Sequence, residues 1–497
     1  MRLPFLFLPL GLMFRSVTRA LSHLHPRRLT SQFWVPILLA GTATALVYLV
    51  LLEEVRLAVT VTVVFLLVGT AMINIRLSIL AVVGYLIVLG DLRRLLVPIA
   101  GWTGSDPLLL IGPVFVIILC LFALASRSIK FDTPLAKWGL ALMVIMALQT
   151  MNPKQGGLAV GIAGILFVMV PLLWFWVGRT FATKQMMEML LFKVVAPLSV
   201  VAALFGLYQV FYGYLPYQMA WYEVAGYLGI GSPETGLVPI SFFASGTEHG
   251  NFIVIGAVIL FCIGIRTNNA LLLVLPLMLV SLFLTGSRGP VVRMLGMLVG
   301  LWAILSPSIK SWIPRGALAL VVVTAGLVWS LNTATQSGVG PSNVQFALNR
   351  QAAELTQQGR EDEHSSALVH LTLLTHGYVS GITNPLGYVL GATSKAAEKF
   401  SRTGKPVYGT ETDVGDSFMT LGLPGGLIYH YMIFLIIVSG FRYWIRTRSA
   451  LALAILGVLG ATFLMWLGGG QYAVSPIVWI CAGALDRFNN IESRPST

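Results

Sequence analysis

The sequence predicts an all-α polytopic membrane protein with about fourteen transmembrane helices and a large extracytoplasmic loop containing amphipathic helices. Three observations predict it. Hydrophobic residues make up 57% of the 497 and charged residues only 10%, with a mean hydropathy of +0.84. Apolar runs recur that are long enough to cross ~30 Å of hydrocarbon, where a chain must satisfy its backbone within helices or closed barrels. The acidic residues, finally, are gathered. Eight of the nineteen lie between Asn332 and Asp416: Glu354, Glu361, Asp362, Glu363, Glu398, Glu411, Asp413 and Asp416. Loops of that size between spans are usually functional.

A spanning-length window centres candidate helices near residues 42, 65, 82, 117, 144, 168, 202, 258, 277, 298, 324, 429, 458 and 477. Residues 4–14 form an apolar patch too short to span, flanked by Arg2, Arg15, Arg19, Arg27 and Arg28 and without a small-residue cleavage site. That pattern predicts a basic interfacial helix, not a removed signal peptide. The expected divisions are a basic cytoplasmic segment (1–30), the first part of a membrane domain (31–331), a periplasmic loop (332–416), the C-terminal spans (417–485) and a cytoplasmic tail (486–497).

Lys and Arg set the orientation. With the N-terminus cytoplasmic, alternate loops carry Arg127, Lys130 and Lys137; Arg179, Lys184 and Lys193; Arg266; Lys310 and Arg315; Arg442, Arg446 and Arg448; and Arg487 and Arg494. All then fall on the cytoplasmic side, as the positive-inside rule requires, and the acidic loop falls outside. The net charge of +13 reflects this topology and contact with anionic lipid, which removes the case for a nucleic-acid partner. Cys120, Cys262 and Cys481 are isolated in apolar segments and imply neither a disulfide framework nor a thiolate metal site.

Basic residues that break the orientation rule are candidates for function. Arg93 and Arg94 end the third span in Gly90-Asp91-Leu92-Arg93-Arg94, and Arg288 lies between the ninth and tenth in Thr285-Gly286-Ser287-Arg288-Gly289-Pro290, with Arg293 soon after. Outer-face arginines beside glycines suit a pyrophosphate, which accepts paired N–H donors. The competing reading has them snorkelling to headgroups or pairing with Asp91 and nearby carbonyls.

The loop divides into an amphipathic segment, Val344 to Gln358, a charged cluster, Gly359 to His364, and a second helix, Ser366 to Val379, with Leu368, Leu371 and Leu374 on one stripe. A turn, Asn384-Pro385-Leu386-Gly387, follows, and Gly409 to Ser417 closes the loop at the mouth of the next span. Its helices either roof a cavity for a lipid head and sugar chain or lie on the bilayer as packing. The histidines form no HExxH or other close ligand pair, so no metal is expected.

The order of these motifs resembles the O-antigen ligase and polymerase superfamily. It runs through Asp91-Leu-Arg-Arg, Asn152-Pro153, Ser241 to Thr247, Thr285-Gly-Ser-Arg-Gly, a loop containing Arg360, Asn384-Pro-Leu-Gly and Leu421-Gly-Leu-Pro-Gly-Gly. The resemblance implies transfer of an undecaprenyl-pyrophosphate-linked glycan outside the bacterial inner membrane, without metal or cofactor. Arg288 and Arg360 then bind donor pyrophosphate, joined by Arg93, Arg94 and Arg293, and a loop residue deprotonates the acceptor hydroxyl. Membrane lipids and other polysaccharide-assembly proteins are the further partners it implies.

One departure bears on the branch. About eleven residues before the Gly-Leu-Pro-Gly turn, where ligases carry His-Asn, this chain has Glu411-Thr412 followed by Asp413. The change favours a polymerase acting on a lipid-linked repeat over a ligase acting on lipid A-core. Glu411 is the first candidate for general base and Asp413 the second. Asp413, Asp416 and Ser417 also suit helix capping. The alternative from another class, a lipid-linked oligosaccharide flippase or secondary carrier, predicts paired halves and mid-span polar residues, neither of which stands out.

Overall fold

A computed structural model gives the fold, describing residues 49, 53–154, 156–226, 231–232, 236–306, 308–317, 321, 343–349, 366–394, 397, 400–401, 409–410, 412–463, 465–467 and 471–491. The basic N-terminal segment, the span expected near 42, nearly all of the one near 324, the 359–364 cluster with Arg360, residue Glu411 and the end of the tail lie outside the described residues.

Among the described residues the apolar runs are helical. In order come α1 (Val55–Ile73), α2 (Ile75–Leu95), α3 (Pro107–Ala125), α4 (Pro134–Gln149), α5 (Leu158–Phe181), α6 (Lys184–Tyr212) and α7 (Pro216–Ala225). They are followed by α8 (Gly246–Arg266), α9 (Asn269–Phe283), α10 (Arg288–Ile304), α11 (Ser366–Thr383), α12 (Asp413–Thr447), α13 (Ala450–Ala461) and α14 (Val474–Ile491). Every expected centre from 65 to 298 and from 429 to 477 falls within one of them. Among the described residues, α1, α2, α3, α5, α6, α8 and α12 are long and apolar enough to cross a membrane; α4, α9 and α13 are apolar but shorter.

Turn chemistry separates the helices. Asn74 breaks the α1–α2 run, its side chain accepting from the amides of Arg76 and Leu77 at 3.0 and 3.2 Å. Thr133 caps α4 ahead of Pro134, and Ser449 caps α13. The axis of the bundle is α8, whose most apolar stretch is 83% buried, against 17% for α1 at the edge. The pair α5 and α14 packs so closely that a Cβ on Gly483 would meet the Phe175 carbonyl at 2.0 Å, and one on Gly178 the Ile480 carbonyl at 2.4 Å.

The long helix α12 is broken at Gly422, which has φ +66°, with Pro424 two residues on. The Asn384–Gly387 turn fills the break: Leu423 N–H donates to the Pro385 carbonyl at 2.9 Å and Tyr388 N–H to the Met419 carbonyl at 2.8 Å. Asn152 then donates to the Gly387 carbonyl at 3.2 Å, and Lys154 Nζ to Asn384 Oδ1 at 2.7 Å. Three motifs remote in sequence thus form one knot of backbone contacts.

The loop helix α11 lies along the first half of α12. Of the expected leucine stripe, Leu374 is partly buried against the apolar core and Leu371 is exposed; among the described side chains the fully buried positions are Gly377, Ser380 and Gly381. A Cβ on Gly377 would meet Gly415 Cα at 2.7 Å, so small residues, not leucines, permit this contact. Tyr378 O–H donates to His430 Nε2 at 3.0 Å, with His430 Nδ1–H donating to the Gly426 carbonyl at 2.8 Å.

Gly422→Ala puts a Cβ 2.2 Å from the Pro385 carbonyl at a left-handed φ. Left-handed strain and overpacking together predict a loss of roughly 2–4 kcal/mol. Thermal unfolding in detergent should show a clearly lowered midpoint, whereas Gly69→Ala, with nothing within 4 Å of the new Cβ, should leave it unchanged or slightly raised.

Candidate active site

Arg93 and Arg94 are organised by two carboxylates. Arg94, 1% exposed, donates to Asp91 Oδ1 at 3.2 Å from both Nε and Nη2, to the Phe243 carbonyl at 2.7 Å and to the Ser241 carbonyl at 2.8 Å. Asp91 also accepts from Tyr217 Oη at 2.8 Å and Gln218 Nε2 at 3.0 Å. Burial and this bond to Asp91 hold the Tyr217 phenol well above its ordinary pKa, so it stays a donor. The Asp-Leu-Arg-Arg turn and the Ser241–Thr247 stretch are therefore one tied unit, and Arg94 is its internal strut.

Arg93 donates to Asp106 Oδ2 at 3.2 Å and lies over the Trp102 ring at 4.6 Å. The same carboxylate oxygen pairs with Arg56 at the start of α1, and Arg56 Nη2 donates to the Arg93 carbonyl at 3.3 Å. Two arginines thus share one carboxylate. Arg56 and Asp106 were not among the expected site residues, although Arg56 breaks the orientation rule just as Arg93 does.

The connection between α13 and α14 is where the remaining polar groups converge. Glu248, in the first turn of α8 and 2% exposed, accepts from Ala473 N–H at 2.8 Å and Ala244 N–H at 3.2 Å. Asn251, one turn on, donates to Gln471 at 2.9 Å and accepts from Arg293 Nη2 at 2.5 Å. Arg293 reaches Met465 Sδ with its other terminal nitrogen. Asp413, at the start of α12, accepts from Leu467 N–H. Tyr472 lies within electrostatic reach of Arg93 and Glu248, and its phenol is raised above its ordinary pKa chiefly by burial. Four segments meet on this one connection.

Sequence reasoning placed Asp413 as a cap or second base. The N-cap of α12 is instead Thr412, whose hydroxyl accepts from Gly415 N–H at 3.4 Å, while Asp416 accepts from Thr410 N–H at 2.6 Å. Arg288 is the first residue of α10, half-buried, after a turn in which Gly286 has φ +69°. A cation there stands at the positive end of the helix dipole, where an anion is favoured. Among the described residues Arg293 has no carboxylate within salt-bridge range. The structure thus brings Arg93, Arg94, Arg293 and Asp413 into one polar layer. Arg360 and Glu411 lie outside the described residues.

Glu248, Asn251, Gln471 and Tyr472 are additions to the sequence-derived set. Ser245-x-x-Glu248 has the spacing of a capping box ahead of an apolar run, a signal that could have found Glu248. Beside the connection a narrow cavity of about 60 Å³ runs toward the flank of the bundle between Leu86, Phe167 and Trp174, with Gln471, Tyr472 and Ser475 at its polar end.

No family model, curated protein or solved structure matches this chain.

Removing Arg94 would leave Asp91 without its cation and two buried carbonyls without a donor. Breaking such a pair costs roughly 3–5 kcal/mol, so Arg94→Ala should unfold at a much lower temperature or fail to accumulate. Arg94→Ala with an unchanged unfolding midpoint would show that the strut is dispensable.

Proposed function

We propose that the protein is a bacterial polysaccharide polymerase. It transfers an undecaprenyl-pyrophosphate-linked glycan onto a lipid-linked repeat unit at the periplasmic face of the inner membrane. In this reading the chain crosses fourteen times, both termini are cytoplasmic, and the polar layer of Arg93, Arg293 and the α13–α14 connection faces the periplasm. The observation that carries the proposal is that layer: one end of an apolar bundle gathers Arg56, Arg93, Arg94 and Arg293, and among the described residues Arg293 meets only neutral groups, Asn251 and Met465 among them. A guanidinium that meets only neutral groups is suited to an oxygen of a pyrophosphate.

The reaction requires three tasks. Arg288, Arg293 and Arg360 take the charge that develops on the pyrophosphate as its bond to the anomeric carbon breaks. The acceptor hydroxyl attacks that carbon from the opposite side, forming the new glycosidic bond with inversion, and its proton passes to the Glu411 carboxylate. Undecaprenyl pyrophosphate leaves with the bonding electron pair. Arg94 and Asp413 act as positioning residues, Arg94 on the turn that carries Arg93 and Asp413 on the connection that meets Arg293.

Analysis of glycans after gene deletion tests the assignment. Loss of long chains with single lipid-linked repeats still present supports the polymerase. Long chains stranded on the lipid carrier would mean a ligase, and cytoplasmic accumulation of repeats a flippase.

Two substitutions test the roles. Glu411→Gln should slow transfer by roughly a hundredfold or more with donor binding retained, the scale of losing a general base. Asp413→Asn keeps an oxygen that can accept from Leu467 N–H and should lose little; the reverse pattern would move the base to Asp413. For Arg288→Lys, chain extension should fall nearly to zero at normal abundance, because Lys keeps the charge but not the two-pronged contact. Wild-type chain length in that variant would leave Arg288 a packing role only.

A further inference from the structure

At the opposite end of the bundle from the polar layer is a cavity of about 500 Å³, lined by Ser128, Lys130, Asp132, Arg179, Thr180, Arg487 and Asn490. Three elements build it: the α3–α4 connection, the last turn of α5 and the last turns of α14. Arg179 is its fixed wall. Its Nε donates to Asp486 at 2.6 Å, its two terminal nitrogens reach Asp132 and the Lys130 carbonyl, and Thr133 Oγ1 holds the same Asp486 oxygen at 2.8 Å. Asp132 and Asp486 are thereby engaged by Arg179.

Among the described residues the other cations have no carboxylate partner. Arg487 directs one terminal nitrogen to the Arg179 and Thr180 carbonyls at the end of α5, and Arg76 Nε donates to the Phe181 carbonyl at 3.3 Å. Both therefore sit over the negative end of one helix dipole, which offsets part of their charge. The exposed Lys130 ammonium has no carboxylate within salt-bridge range among the described residues. Among the described residues, Lys130, Arg179 and Arg487 of the lining and the adjacent Arg76 give four positive charges against two from Asp132 of the lining and the adjacent Asp486, a net of +2.

We propose that this cavity is a binding site for a phosphate anion, and specifically for the headgroup phosphate of an anionic lipid. The cavity holds a phosphate with its glycerol linkage, and lies where α5 and α14 end, at headgroup depth in a bundle whose apolar helices span. Basic pockets between the ends of spanning helices are suited to such headgroups. The proposal is independent of the glycan-transfer reading, since none of these residues belongs to the opposite polar layer.

The test uses full-length protein in detergent and native mass spectrometry with phosphatidylglycerol as the probe, phosphatidylcholine as the control lipid and inorganic phosphate as competitor. Wild type should retain phosphatidylglycerol in preference to phosphatidylcholine. Lys130→Ala, whose backbone carbonyl still accepts from Arg179, should weaken that retention about fivefold, the effect of one basic residue near the surface. Lys130→Ala with Arg487→Gln should weaken it further, to roughly twenty-five-fold. If inorganic phosphate alone raises the unfolding temperature of wild type but not of Lys130→Ala, and the lipid shows no preference, the site is a phosphate site fed from solution. Equal lipid retention by wild type and both variants, with no response to phosphate, overturns the proposal. Circular dichroism and the unfolding midpoint of Lys130→Ala guard against loss of fold.

Discussion

Two buried carboxylates, Glu248 and Asp413, each accept a backbone amide from the short connection between α13 and α14. A non-helical segment inside a bundle exposes N–H groups that neither lipid nor apolar side chains can satisfy, and each such group left unpaired costs on the order of several kcal/mol. The carboxylates provide the missing acceptors. Because they come from the first turns of α8 and α12, the connection is held between helices that are far apart in sequence. Asn251 and Arg293 add side-chain contacts to the same segment. Without these ties this end of the bundle would have no defined floor.

The same logic runs through the motifs. Arg94 fastens the end of α2 to the Ser241–Phe243 backbone, and Asn152 with the Asn384–Gly387 turn fastens the end of α4 to the break in α12. Glycine is required where these backbones touch, as at Gly422 and Gly387, because a side chain would occupy the space of a carbonyl or an amide. Residues that resemble a family's signature thus serve first to bring chain segments together. The proposed catalytic roles fall on Arg288 at the start of α10, on Arg293, which among the described residues pairs with neutral groups, and on Glu411, which precedes α12 in sequence.

The helices were legible in the sequence because long apolar runs with few charges satisfy their backbone in lipid as helices, and the expected centres among the described residues fall inside observed helices. The break in α12 was also legible, from Gly422 and Pro424. The ties were not. Arg56 to Asp106 joins residues 50 apart and Glu248 to Ala473 joins residues 225 apart, and neither follows any local period. The face of α11 was only partly legible: leucine spacing indicates an apolar stripe, of which Leu374 is partly buried, but the close approach to α12 depends on Gly377 and Gly381. The capping reading of Asp413 fails because Thr412, Asp413, Asp416 and Ser417 are all cap formers, and only geometry distinguishes Thr412 as the one that caps.

The central claim is that the polar layer built on the α13–α14 connection transfers glycan between lipid carriers. Reconstituting the purified protein with a single lipid-linked repeat unit as donor and acceptor measures this directly. The account predicts lengthening chains that remain on undecaprenyl pyrophosphate, with one free undecaprenyl pyrophosphate released for every repeat joined and no dependence on added divalent metal. Repeats that cross the membrane unchanged, or that stay single while the protein remains folded, would contradict it.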